Sequence, residues 1–200
     1  MRFFKPNTTR HRPPGTRESE MRPMAQPETS NVFVYGTYMK DCVRHIQIQQ
    51  EVTSWGRAEI IGKLYQIPTG APLVVEETPV AAPVATAAAA PTATATAPAP
   101  TAPPPAPSKV YGEVMTFQNM DSVLDTIDAH EGYLPGNVEN SRMIRKVVEV
   151  TLTSTGEKIK AYAWFFPKEK FNPKNMFAVH CHGGDWRKFV MMPRYDGYQH

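Results

Sequence analysis

The chain lacks any run of roughly 18 consecutive apolar residues, so no segment reads as a membrane-spanning helix. It has only two cysteines, Cys42 and Cys181, far apart. That excludes a disulfide framework and makes reduced thiols in a cytoplasm the expectation. A strong charge bias is missing too. Twenty-two basic residues face 19 acidic ones for a net charge of +3, too weak for the basic surface of a nucleic-acid binder. The phosphate-binding loops G-x-x-x-x-G-K-[ST] and G-x-G-x-x-G are absent, as is the G-x-S-x-G nucleophile elbow. No C-x-x-C pair occurs. His180, Cys181 and His182, even taken with Cys42 and His45, match metal-ligand spacing only weakly, so no metal is expected. Nothing in the sequence around Cys42 marks it as an activated nucleophile.

What is present fits one ordinary domain in 200 residues. Residues 1–30 are rich in Arg, Pro, Thr and Ser and have no apolar core of a secretory signal. Glu18, Glu20 and Glu28 speak against a transit peptide, so the segment is expected to be a disordered tail. Residues 78–108 contain only Ala, Pro, Thr, Val and one Ser. Such a stretch cannot bury enough surface to offset its ordering entropy, and it is expected to be a disordered insertion. It is flanked by strand-like pieces at 71–76 and 110–117, and the simplest geometry is a hairpin whose tip has grown. Loop-closure cost rises by only about 0.6 kcal/mol per doubling of length. The globular domain is therefore read as 31–200, interrupted by the insertion.

Residues 32–34 are a short apolar strand. Residues 58–67, AEIIGKLYQI, read as a strand whose internal glycine suggests a bulge or close approach. Residues 143–152 and 158–166 read as two strands around the turn at 154–157. In the second, Ala161, Ala163 and Phe165 alternate with Tyr162, Trp164 and Phe166. One clear helix runs from about Met120 to His130. The elements predict an α+β domain with a small, mainly antiparallel sheet that can close into a barrel, flanked by helix.

The helix carries the sharpest chemical argument. Asn119 or Asp121 can cap its start. Met120, Val123, Leu124 and Ile127 lie on one face, and four residues further on the same face stands Glu131. Asp125 and Asp128 fall off that stripe or at its edge, where they can face water. Gly132 is a natural stop. Glu131 should then point toward the core or a cavity beside it, near the negative end of the helix dipole. Burial and dipole both raise its pKa and make it a better base near neutral pH. The alternative is a frayed last turn with Glu131 in solvent. A second oddity is the strand at 32–34, which runs directly into Tyr35, Gly36, Thr37 and Tyr38. A turn needs the glycine but neither the tyrosine nor the threonine.

Several segments in order resemble the gamma-glutamylcyclotransferase-like (AIG2-like) family. VFVYGTYM at 32–39 is similar to the family's strand-and-loop signature VFVYGTL. IGKLY at 61–65 resembles its G-x-L-Y strand and VYGEV at 110–114 its V-x-G-E-V strand. LDTIDAHEGY at 124–133 resembles its helix end L-D-x-x-E-G-Y, with Asp128 as the motif's aspartate. Arg145 with the valines after it, AYAW at 161–164 and GDW at 184–186 follow in the expected order. The resemblance covers 31–77 and 109–190. It implies a small mixed β-barrel with flanking helices and a pocket between the Tyr-Gly-Thr loop and the glutamate. It implies release of 5-oxoproline from a small gamma-glutamyl amine or peptide without metal or cofactor. Tyr35, Gly36, Thr37 and Tyr38 would hold the gamma-glutamyl group, largely through backbone N–H groups, with Gly36 admitting close approach. Glu131 would be the general acid/base. Two positions depart from the pattern: Tyr38 replaces the family's leucine, and Met143 stands where an aromatic residue is expected.

The expected partner is thus a small gamma-glutamyl substrate, with no nucleic acid and no membrane, in a cytoplasmic protein. The sequence fixes neither the leaving amine nor an oligomeric state. The alternative reading is a non-catalytic module that binds a small ligand or a protein on the same fold. A weaker third reading is a nucleic-acid binder acting through the basic N-terminal tail.

Overall fold

The computed structural model describes residues 27–77 and 106–191. Its centre is a closed five-stranded barrel. The barrel strands are β1 (Asn31–Val34), β2 (Val52–Ile61), β5 (Lys109–Phe117), β6 (Ile144–Leu152) and β7 (Lys158–Phe165). They run in the order β1-β5-β2-β6-β7. All pairs are antiparallel except β1 with β7, where Val32 lies opposite Tyr162 in a parallel pair that closes the ring. A second sheet of three strands has the order β4-β3-β8, from β3 (Lys63–Gln66), β4 (Pro72–Val75) and β8 (Val179–His180). Helix α1 (Met120–Glu131) and the short α2 (Trp186–Met191) complete the fold. The expected α+β class with a small mixed barrel is the observed one. No helix among the described residues is long and apolar enough to cross a membrane.

Alternation along the strands divides the core in two. One cluster joins Phe33, Ala58, Ile60, Val110, Val114, Val150, Ala161, Ala163 and Phe165. The other joins Val32, Val34, Met115, Phe117, Tyr162 and Trp164 with Met120, Val123, Leu124 and Ile127 of α1. A five-stranded barrel is too narrow to admit a helix, so the face under α1 is the outer one. The inner face is filled largely by small and β-branched residues. Gly112 is one requirement of this closeness, since a Cβ there would lie 2.2 Å from the Val34 carbonyl oxygen.

Two sequence expectations need correction. Residues 58–67 are two strands, not one. At Gly62 the chain leaves the barrel for the second sheet, and a Cβ there would meet Val74 Cγ1 at 2.9 Å. The grown hairpin between 71–76 and 110–117 does not form either. β4 pairs with β3, and β5 pairs with β1 and β2. The short turn between β3 and β4, closed by the Ile67 N–H on the Ala71 carbonyl at 3.1 Å, makes the preceding strand the nearer partner. The ends of the 78–108 insertion still meet: the Ser108 N–H donates to Glu77 at 2.8 Å, and Gly62 N–H donates to the Ser108 carbonyl at 3.0 Å.

Most of the expected tail and insertion lie outside the described residues. Their described margins join the domain. The Glu28 N–H donates to the Tyr162 hydroxyl at 2.9 Å, and the Phe117 N–H donates to the Ser30 carbonyl at 2.9 Å.

Candidate active site

Helix α1 begins where expected, with the Asn119 side chain accepting from the Ser122 N–H at 3.4 Å. It ends at Gly132, which takes the left-handed conformation (φ 69°, ψ 37°) and donates its N–H to the Asp128 carbonyl. The last turn is therefore capped rather than frayed. Glu131 stays on the apolar stripe with its side chain 18% exposed. Its carboxylate makes no hydrogen bond among the described residues. His130 Nδ1 lies 3.3 Å from Glu131 Oε1 but without hydrogen-bond alignment, so that nitrogen is buried and unpartnered. Burial pushes the Glu131 pKa up, opposed by the positive charges of Arg142 and Arg44. Burial and the same two arginines push His130 down, which favours the neutral imidazole.

Asp128, one turn earlier, is not at the water-facing edge that periodicity suggests. It is 5% exposed. The β6–β7 hairpin supplies its partners: Arg145 Nη1 donates to Oδ2 at 2.5 Å and Trp164 Nε1 to Oδ1 at 2.9 Å. Arg145 is itself sandwiched against the rings of Tyr133 and Tyr162, at 5.0 and 5.3 Å. Burial raises the Asp128 pKa against the two donors. This carboxylate ties α1 to the barrel.

The loop after β1 meets the end of α1 at a cleft of about 470 Å³, counting its open mouth. Tyr35, Gly36, Thr37 and Tyr38 line it together with Glu131, so all five residues singled out in the sequence share one site. His130, Arg142, Trp164 and Pro72 also line it. The backbone N–H groups of Gly36, Thr37 and Tyr38 find no acceptor among the described residues. Unpaired N–H groups in a cleft-lining loop can receive a carboxylate or a developing oxyanion.

Each loop residue has a distinct part. Tyr35 is 8% exposed and donates its hydroxyl to the Trp164 carbonyl at 2.8 Å, which anchors the loop to β7. Burial and the nearby Glu131 charge push its phenol well above the ordinary range. Gly36 is explained by a neighbour: a Cβ would sit 2.3 Å from Pro72 Cγ, so the bare backbone lets the Pro72 ring close the cleft wall. Thr37 accepts the Arg44 N–H on its carbonyl at 2.9 Å. Tyr38 is 4% exposed and packs in the outer core, as a leucine would. Its ring meets His130 edge-on at 5.6 Å and its hydroxyl reaches Gln47 at 3.4 Å. Burial and Glu131 push its pKa up to about 12.

The other candidates separate. No group of three or more His, Cys, Asp and Glu side chains placed to hold a metal occurs among the described residues. Cys181 is buried, and burial pushes its thiol up to about 11. His180 and His182 face each other, Nδ1 to Nδ1, at 3.3 Å. Glu113, from VYGEV, is 3% exposed and accepts from the Lys40 N–H at 2.6 Å and from Arg187 at 3.3 Å.

A closed mixed barrel thus places a glutamate without a hydrogen-bond partner, at a helix end, in one cleft with a glycine-bearing loop. The sequence model of the family described as "Gamma-glutamyl cyclotransferase, AIG2-like" matches residues 32–188, and the chain belongs to that family. Among solved structures the chain is similar to YkqA from Bacillus subtilis, at 20% identity and TM-score 0.49, over 81% of this chain and 41% of that one. It is similar to an Arabidopsis thaliana protein, At5g39720.1, at 18% identity and TM-score 0.49, over 83% of this chain and 85% of that one. It is also similar to an AIG2-like protein from Mus musculus, at 13% identity and TM-score 0.46, over 76% and 84% of the two chains. The chain thus spans less than half the length of the Bacillus protein. No curated protein matches it.

Proposed function

We propose that the protein is a gamma-glutamyl cyclotransferase that releases 5-oxoproline from a small gamma-glutamyl amine or peptide. The observation that carries this reading is Glu131: a desolvated carboxylate without a hydrogen-bond partner, in one cleft with the unpaired N–H groups of the 35–38 loop. Family membership supplies the reaction class.

The chemistry asks little more. The substrate's α-amine attacks its own γ-carbonyl carbon, so both reactants arrive in one molecule and the enzyme mainly fixes a near-attack conformer. Glu131 takes a proton from the α-ammonium, which frees the lone pair. As the new N–C bond forms, the carbonyl π electrons move to oxygen, where the loop N–H groups stabilise the charge. Collapse breaks the bond to the leaving nitrogen, which receives the proton held by Glu131. The ring nitrogen gives up its second proton, and the released amine leaves protonated in water. No residue becomes a covalent nucleophile. Tyr35 and Tyr38 hold the loop and one cleft wall.

The test is a panel of gamma-glutamyl dipeptides, gamma-glutamyl-lysine and other gamma-glutamyl amines, read by 5-oxoproline formation. Product is expected from the wild type on at least one compound and lost in Glu131→Gln. No product on any compound would favour the non-catalytic binding module.

A further inference from the structure

Around Glu131 the cleft carries more positive charge than the reaction itself uses. Arg142 lines the cleft and is exposed, so it stands at the mouth. Its root is fixed: its N–H donates to the Gly132 carbonyl at 2.8 Å, and a Cβ on Gly132 would meet its own Cβ at 3.1 Å. The arm therefore crosses the end of α1 beside Glu131. Its charge is felt by Glu131, His130 and Tyr35. Yet no carboxylate lies within ion-pair distance of its guanidinium among the described residues, and no acceptor there hydrogen-bonds it. Arg145 and Arg187 differ, each being committed to a buried carboxylate, Asp128 and Glu113. The negative end of the helix dipole accounts for a cation near this position. It does not account for an arginine that lines the cleft with no carboxylate or acceptor of its own among the described residues.

The direction of the substrate follows from the proposed function, on which this inference rests. The gamma-glutamyl head goes to the 35–38 loop and its α-amine to Glu131. The leaving amine then points out through the mouth, where Arg142 stands. The charges agree. The head's α-carboxylate and α-ammonium cancel, and two arginine charges, Arg142 and Arg44, act on the single Glu131 carboxylate. We infer that Arg142 is a specificity-determining residue that recognises a carboxylate on the leaving amine. Preferred substrates are then gamma-glutamyl amino acids and peptides whose leaving side is anionic, over gamma-glutamyl derivatives of uncharged amines. A guanidinium reads a carboxylate through two parallel N–H bonds, which gives direction as well as attraction.

The decisive pair is gamma-glutamyl-alanine and gamma-glutamyl-ethylamine, which differ by that carboxylate alone. Wild type is expected to favour the alanine compound in kcat/KM by about 10- to 100-fold, the range of one charge-assisted contact. The preference should sit mainly in KM. Arg142→Gln should bring the ratio toward one, and Arg142→Lys should keep part of it. A wild-type ratio near one would overturn the inference. So would an Arg142→Gln variant that weakens both compounds equally, since that would place Arg142 on the α-carboxylate of the head. Calorimetric titration of Glu131→Gln with the same two compounds gives a readout independent of turnover. Tighter binding of the alanine compound, lost in Glu131→Gln/Arg142→Gln, supports the inference even if wild type makes no 5-oxoproline and the proposed function fails. Equal or absent binding of both compounds overturns it.

Discussion

Asp128 and Glu131 are carboxylates three residues apart on the same helix, and the fold treats them in opposite ways. Asp128 is almost fully buried and accepts from Arg145 and Trp164. Glu131 is slightly more open and accepts nothing among the described residues, with a misaligned His130 nitrogen at 3.3 Å. Burial raises the pKa of both. The difference lies in what holds the charge. A carboxylate tied by two donors serves as a fastener and cannot readily exchange a proton. One left without donors in a cleft has every acceptor site open to a substrate. The helix thus carries a donor-bound and a donor-free carboxylate on successive turns.

The comparison breaks most clearly at Glu131. Glu131→Gln should lower kcat/KM for 5-oxoproline release by about 10²- to 10⁴-fold, the usual share of a general acid/base. Stability should not suffer. A raised carboxylate pKa means that the folded state holds its proton more tightly than the unfolded chain. Glu131 therefore costs stability as pH rises from its unfolded pKa through its folded one. Glutamine removes that cost, so thermal melts near neutral pH should show a variant at least as stable as wild type.

Asp128→Ala should behave in reverse. It leaves the half-buried Arg145 and the buried Trp164 N–H without their acceptor, at a cost of about 3 kcal/mol. Denaturant titration should show the loss, and activity should fall only as far as the folded fraction does. Gly36→Ala should come next. Its Cβ meets Pro72 at 2.3 Å, so either the ring or the loop must move. KM should rise by about tenfold from the displaced N–H groups, with a smaller change in stability.

The smallest effect is in the pH profile. The rising limb of kcat/KM should lie above the ordinary carboxylate range, because Glu131 works in its deprotonated form and burial raises its pKa. Arg142 opposes that rise, so Arg142→Gln should move the limb to higher pH. Tyr38, pushed up to about 12, should leave this limb untouched.

Local pattern revealed much of this. The apolar stripe of α1 and its Gly132 stop led to Glu131, because a helix face is a property of neighbouring residues. The β6–β7 strands and their turn were legible for the same reason. Periodicity lets Asp128 face water, because its partners lie on strands that only the closed barrel brings near. Pattern alone leaves the partner of β4 open, because two candidate strands are available and loop length decides between them. The sequence pattern accounts for Gly36 by ligand approach, and the structure adds a second requirement that no local pattern shows, the Pro72 ring packed against it. His130, Arg142 and Trp164 were not seen as site residues. His130 does sit next to Glu131, but Arg142 and Trp164 reach the cleft only through tertiary packing.

The most direct measurement is 5-oxoproline release by wild type and Glu131→Gln on the gamma-glutamyl panel, with melts of both proteins run in parallel. The account predicts product from wild type, loss of about 10²-fold or more in the variant, and equal or greater variant stability. Equal rates from two folded proteins would contradict it.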